Sequence, residues 1–324
     1  MKAHSISISG ILTLDLHALN NEGAEGNTMM TRMVDIIDKN GNRHTVNAIS
    51  GDMFKHIQAG HLLDEALESG LALCAACRRF DANRICGDPD FTKNPELAQE
   101  DCKDSVILTA AIKRCAIDDL EGILITSEMG KKRSIARKSC IEFGWVVGIP
   151  DQVATESYFH AKYVPEGRGE GRGDAANLGQ NIFHRPASSG RYAMVVGMDL
   201  FRVGRNDISL DPVLDKEDRI NRCAALVRSA MNAIVKPTGA HRNTQNPHII
   251  NFEGVVAVSC SSLPAPAVSA LNSGFVEETK RIELVLNQMQ SNSVSTHVFD
   301  SLAGFTEMIA QVLGPNVARA VAGS

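Results

Sequence analysis

The chain has 324 residues, 44% of them hydrophobic and 22% charged, with eight cysteines and a formal net charge of −5. That length suffices for one large or two smaller cores, and the acidic balance excludes indiscriminate nucleic-acid binding by the whole surface while permitting a local basic track. No run of about 18 apolar residues is present to span a bilayer. The N-terminus MKAHSISISG lacks a secretory h-region, so reduced thiols, a cytoplasmic location and no membrane partner are expected.

In chain order, residues 5–16 (SISISGILTLDL) alternate with period two and predict a long strand, bent at Gly10. HALNNEGAEGN, residues 17–27, reads as a loop leaving it. Residues 29–45 read as strand, turn, strand, with Lys39-Asn40-Gly41-Asn42 as the hairpin turn. A helix follows to about Ser69: Ser50 is a good N-cap, and Met53, Phe54, Ile57 and Leu62 recur at helical spacing. Gly51 leaves its first turn open to close backbone approach, and Lys55 and His56 lie one turn in. Free N–H groups, the positive end of the dipole and a lysine together suit a phosphate.

Residues 70–120 read as a helical insertion with a helix at 104–114. EGILIT, residues 121–126, returns to strand character and runs into a dense basic segment: Lys131, Lys132, Arg133, Arg137 and Lys138 face the acid Glu128. From about 151 to 190, two aromatic-basic strands, YFHAKYV and NIFHR, flank EGRGEGRGDAANLGQ with its five glycines, predicting a protruding β-hairpin. Strand 191–203, helix 218–235, strand 252–260 and helices at 276–290 and 301–313, the last capped by Asp300, complete the chain. Strand–helix–strand near each end suggests an α+β, ferredoxin-like βαββαβ core.

Several chemistries are tested by spacing. Cys74-Ala-Ala-Cys77 with Cys86 and Cys102 has the pair spacing of a zinc knuckle, with Cys115 competing for the fourth place; buried reduced thiols are the alternative. A zinc-deaminase signature, a P-loop and serine-hydrolase motifs are absent, and no cofactor is expected. His17, His56, His160 and His184 fall in predicted loops or grooves but form no nucleophile–base pair, so no catalytic residue is assigned. Four segments instead share nucleic-acid chemistry: 17–27, 50–56, 130–138 and 158–185 combine Asn, backbone N–H, Lys/Arg and aromatic groups.

In this order, LHALNNEGAEGN, VNAISGDMFKHIQAGHL, EGILIT, GKKRS, the glycine-rich hairpin and RYAMVVGMDLFRVG resemble the DevR-type branch of the seventh Cas protein family, backbone subunits of type I CRISPR Cascade of the I-A and I-B kind. The resemblance implies a right-hand shape: an RRM-like palm (1–69, 121–150 and 191–324), a helical finger (70–120) and a β-hairpin thumb (151–190). It implies a non-catalytic protein that polymerises head-to-tail on crRNA and presents it to target DNA in an R-loop, alongside other Cascade subunits and a recruited nuclease or transposition protein. It places Asn20 and Asn21 in the RNA loop and Ser50, Gly51, Lys55 and His56 at a phosphate-contacting helix start. Lys131, Arg133 and Ser134 fall in the basic turn, and Phe183 and Arg185 in the thumb. The rival function from another class is a ferredoxin-like, metal-independent endoribonuclease that processes crRNA, with His56 or His184 as general base.

Overall fold

The strand at residues 5–16 lies at the centre of the molecule, and its pattern explains why. Both of its faces are largely buried, so apolar and small residues occupy them alike: Ile6, Ile8, Leu12 and Leu14 on one, Ser7 and Ser9 on the other. The computed structural model describes residues 3–19, 21–26, 28–126, 128–129, 131–163, 180–238 and 246–314; of residues 21–24, 128, 161–163 and 180–183 it describes the backbone.

The elements run β1 (Ser5–His17), β2 (Asn21–Glu25), β3 (Thr28–Thr31), β4 (Met33–Ile37), β5 (Arg43–Ile49), α1 (Gly51–Glu68), α2 (Pro89–Thr92), α3 (Asp104–Arg114) and α4 (Ala116–Glu121). Short strands follow: β6 (Ile123–Ile125), β7 (Glu128–Met129), β8 (Lys131–Lys132), β9 (Ile135–Arg137) and β10 (Ile141–Phe143). Then come β11 (Val146–Tyr163), β12 (Gln180–Met198), α5 (Lys216–Val235), β13 (His248–Ser259), α6 (Phe275–Met289), β14 (Val294–Phe299) and α7 (Leu302–Leu313).

The main sheet has the order β14-β13-β1-β12-β11-β5-β4, with β10 beside β12 as well. β1–α1–β10/β11–β12–α5–β13 is therefore a βαββαβ unit with β1 and β12 in the middle, the ferredoxin and RRM arrangement within an α+β fold. α1 and α5 share one face and are joined by Gln58 Nε2 donating to Ser229 Oγ at 2.8 Å, both buried. On α1, Phe54, Ile57 and Leu62 are fully enclosed, each worth roughly 2 kcal/mol of apolar burial. Ala193, Val255, Ala270 and Phe275 form a smaller cluster on the other face.

Several expectations are corrected. Residues 17–27 are not simply a loop: β2 and β3 form a hairpin, and Thr28 pairs with His184 of β12. Gly10 is not a bend. It pairs with Gly254, and a Cβ on it would come within 2.8 Å of the Phe252 ring. The strand at 121–126 leaves the palm sheet: among the described residues β6 pairs with β9 in a separate ribbon. Residues 70–120 hold α3 as expected but are otherwise mostly turns, and their Leu73, Ile85, Phe91 and Leu97 join the same core as α1. β14 falls where no strand is expected, and α7 is capped by Ser301 (its Oγ accepts from Gly304 N at 3.1 Å) rather than by Asp300. No helix among the described residues is long and apolar enough to cross a membrane.

Candidate nucleic-acid interface

The start of α1 is built by its cap and by one missing side chain. Ser50 Oγ accepts from Met53 N at 3.2 Å, satisfying one orphan donor of the first turn. Gly51 is buried against the backbone of β10: a Cβ there would overlap the Phe143 carbonyl oxygen. The close approach expected at Gly51 is thus made by the protein's own chain.

One turn on, Lys55 Nζ donates to Glu121 O at 3.2 Å, and Arg84 donates weakly to the next carbonyl, Gly122 O, at 3.4 Å. The two cations border a cleft of about 280 Å³ together with Asp52, His56, Phe80 and Asp81. His56 is exposed and tilts against Phe80 with ring centroids 5.3 Å apart. Beneath them Glu121 is fully buried, and burial holds its carboxyl above the usual carboxylate range although Lys55 and Arg84 draw it down. Arg84 and Phe80 have no periodic signature in the sequence; only the fold brings them to α1.

A second feature escaped sequence reading. The motif's second strand breaks between β10 and β11 at Gly144 and Trp145, and β11 then pairs Val146 with Ile49, the residue before the α1 cap. Trp145 is 44% exposed there, with the Arg32 guanidinium 5.5 Å from its ring. An exposed indole with a cation over it is a stacking platform in chemical terms. A lone tryptophan carries no spacing signal, so only the structure reveals it.

The basic turn divides. Lys131, Lys132 and Ser134 are exposed on or beside the β7–β8 ribbon. Arg133 is not available to a phosphate, which corrects the expectation for it. Its guanidinium is enclosed, bonding Met129 O at 2.8 Å, Cys102 O and Gln99 O at 2.9 Å, and Asp104 Oδ1 at 2.7 Å. Arg137 is enclosed as well, between Asp119 and Asp207 at 2.7 Å each.

β11 and β12 make the projecting hairpin, paired from Val153↔Gly190 out to Tyr163↔Gln180. Tyr158 and Phe159 are exposed, at 41% and 61%, and Phe159 meets His184 edge-on at 6.0 Å. Arg185 is half-buried and lies opposite Tyr158 in register. The side chain of Phe183 and that of Asn21 lie outside the described residues, as does Asn20 altogether.

His17 is no acid–base candidate. It is buried at the end of β1, its Nε2 2.8 Å from Tyr192 Oη, and Tyr192 donates onward to Asn47 Oδ1 at 2.9 Å. Asn47 Nδ2 donates to Thr31 Oγ1 and Arg32 O, which fixes the direction of the relay and makes Nε2 the protonated nitrogen of His17. The relay roots the β2–β3 hairpin in the core.

The cysteines regroup. Cys74, Cys77 and Cys115 converge with Asp118, all buried, their ligating atoms within 4.8 Å of one another. Cys86 and Cys102, expected to complete the set, sit elsewhere: Cys86 Sγ is 3.9 Å from Leu124 O and Cys102 Sγ 3.9 Å from Lys103 O.

The profile of the family described as CRISPR-associated negative auto-regulator DevR/Csa2 matches residues 8–280. No curated protein matches the chain. Among solved structures, a chain of a "CRISPR RNA-guided surveillance complex, pre-nicking" is 11% identical over 95% of this chain and 99% of its own, with a TM-score of 0.49. A second "CRISPR RNA-guided surveillance complex" chain gives 11% over the same shares and a TM-score of 0.46. Csc2 from Thermofilum pendens is 13% identical over 98% of this chain and 88% of its own, with a TM-score of 0.39.

Proposed function

The chain belongs to the CRISPR-associated DevR/Csa2 family, and from that premise we propose that it is a crRNA-binding backbone subunit of a type I Cascade complex. The observation that carries the reading is the hairpin of β11 and β12, which leaves the centre of an RRM-like sheet with Tyr158, Phe159 and His184 along it and the β2–β3 hairpin against its side. Such a hairpin can close over a strand and wedge between its bases, while the α1 start, Lys55, Lys131 and Lys132 take the phosphates.

In this reading each copy grips a short stretch of the guide by its backbone and leaves bases free for target DNA, so that base pairing reads the sequence. A head-to-tail contact between copies is heterologous, and where its rotation does not close into a ring it lets the chain follow the length of an RNA. Other Cascade subunits and a recruited nuclease or transposition protein would bind the resulting filament. The chain itself acts by binding, with neither His56 nor His184 in a cleaving role.

The test is nuclease footprinting of single-stranded RNA at near-physiological salt with rising protein concentration. Protection in a regular short repeat with an exposed nucleotide per period supports the filament. The Lys55→Ala/Lys131→Ala variant should weaken binding to all sequences alike and flatten its salt dependence by roughly one unit of slope per lost phosphate contact. Uniform cleavage at saturating protein would overturn the proposal, and cleavage by the protein, lost in His56→Ala or His184→Ala, would establish the endoribonuclease.

A further inference from the structure

The geometry points to a structural zinc site made by Cys74, Cys77, Cys115 and Asp118. Sequence spacing alone selects a different set; the fold selects this one. Cys74 and Cys77 begin the segment after α1, Cys115 is the residue between α3 and α4, and Asp118 is in the first turn of α4. The two pieces are pinned together next to the cluster by Ala116 N donating to Ala72 O at 2.8 Å.

The distances suit one tetrahedral ion. Zinc about 2.3 Å from sulfur and about 2.0 Å from oxygen sets neighbouring ligand atoms about 3.5–3.8 Å apart. Asp118 Oδ2 lies 3.7 Å from the sulfurs of both Cys74 and Cys77, and all four ligating atoms fall within 4.8 Å of one another. Three thiolates and a carboxylate, closed off from solvent, favour zinc over hard cations such as magnesium or calcium.

Supporting contacts surround the ligands. Cys77 N donates to Cys74 Sγ at 3.3 Å, an N–H to sulfur bond that stabilises a thiolate. Asp118 Oδ1, the oxygen turned from the sulfurs, accepts from Ile85 N at 3.4 Å, which leaves Oδ2 as the ligand. Asp88, fully buried, holds the loop between the two cysteines by accepting from Ala75 N at 3.2 Å, and is itself paired with Arg114 at 2.7 Å.

A contrast within α4 argues most strongly. Asp119 is enclosed too, and two arginines neutralise it, Arg137 at 2.7 Å and Arg222 at 3.0 Å. Asp118, one residue earlier, makes no ion pair among the described residues and faces three sulfurs instead. A buried carboxyl group is neutralised either by a proton or by a cation, and in the company of three thiols the cation serves all four groups at once. A metal ion is what this donor set would take, and its binding would release the thiol protons. The ion would also fix the loop that carries Phe80 and Arg84 to the cleft beside α1.

The test uses the full chain purified without chelator. Elemental analysis should find about one zinc per chain in the native protein and in the Cys86→Ser/Cys102→Ser variant, and at least a tenfold loss in Cys115→Ser and in Asp118→Ala. Should those variants fail to fold, cobalt exchange into the native protein decides: a thiolate-to-cobalt charge-transfer band with intense tetrahedral d–d absorption supports the site. Chelation should also open tryptic cleavage at Arg78, Arg79 and Arg84. Native protein with neither zinc nor a cobalt band overturns the inference, as does zinc that stays in Cys115→Ser and leaves with Cys86 and Cys102.

Discussion

His17 shows how one buried ring can make stability depend on pH. Burial pushes its pKa down to about 4 from an ordinary value of 6.5, because the enclosed ring loses the water that would solvate its charge, and Nδ1, where the second proton would go, is buried with no acceptor among the described residues. The folded-state value is depressed, so the unfolded chain takes the proton first. The stabilisation is fully present above pH 6.5 and is lost as pH falls from 6.5 towards 4. Its size is roughly 3 kcal/mol at about 1.4 kcal/mol per unit. Denaturant titrations across that window should show a shallower pH dependence for His17→Gln than for the native chain; parallel curves would mean the ring is not neutral in the fold. Asp119 is the opposite case, a buried charge that is matched. Asp119→Ala leaves Arg222 enclosed without a counter-charge and Arg137 with Asp207 alone, and chemical denaturation should record a loss of about 3–5 kcal/mol. A loss below about 1 kcal/mol would show that water reaches the pair.

At the scale of elements, the break between β10 and β11 matters most. Were the strand continuous, Trp145 would be one more sheet residue; the break leaves it exposed beside the α1 cap, under Arg32. As it is the sole tryptophan of the chain, its fluorescence reports directly on that spot. Single-stranded RNA should quench it, and Trp145→Ala should weaken RNA binding by about 1–3 kcal/mol per stacked base, with Trp145→Phe recovering part of the loss. Unquenched fluorescence at saturating RNA would remove the indole from the interface. The sequence showed elements well where periodicity was strong: β1, α1, α3 and α5 lie within a few residues of expectation. It failed where pairing partners are remote. β6 has strand composition, yet only the fold shows that it turns aside to pair with β9, and Arg133 has the composition of a phosphate contact until the carbonyls of Gln99, Met129 and Cys102 close around it.

For the whole molecule, the order of motifs carried more than any one of them. The ferredoxin-like core followed from strand–helix–strand at each end, and the family profile spans residues 8–280. The cysteine cluster was half legible. Cys74 and Cys77 are neighbours in sequence, whereas Cys115 and Asp118 reach them only because α3 folds back along the core, a separation of about 40 residues that no local spacing rule bridges.

The hairpin of β11 and β12 has a mechanical consequence. Four residues of β11 lie between the pairs Gly148↔Tyr192 and Val153↔Gly190, where β12 has one, so three extra residues sit on one strand at the base of the hairpin. β12 continues from there into the sheet, flanked by β1 on one side and by β10 and β11 on the other. A pull on the hairpin is therefore borne by β12 and spread over the hydrogen bonds of the central sheet, while the slack in β11 allows a pivot. The hairpin behaves as a lever with one taut cable and one loose one, stiff against being drawn out and compliant against being swung aside.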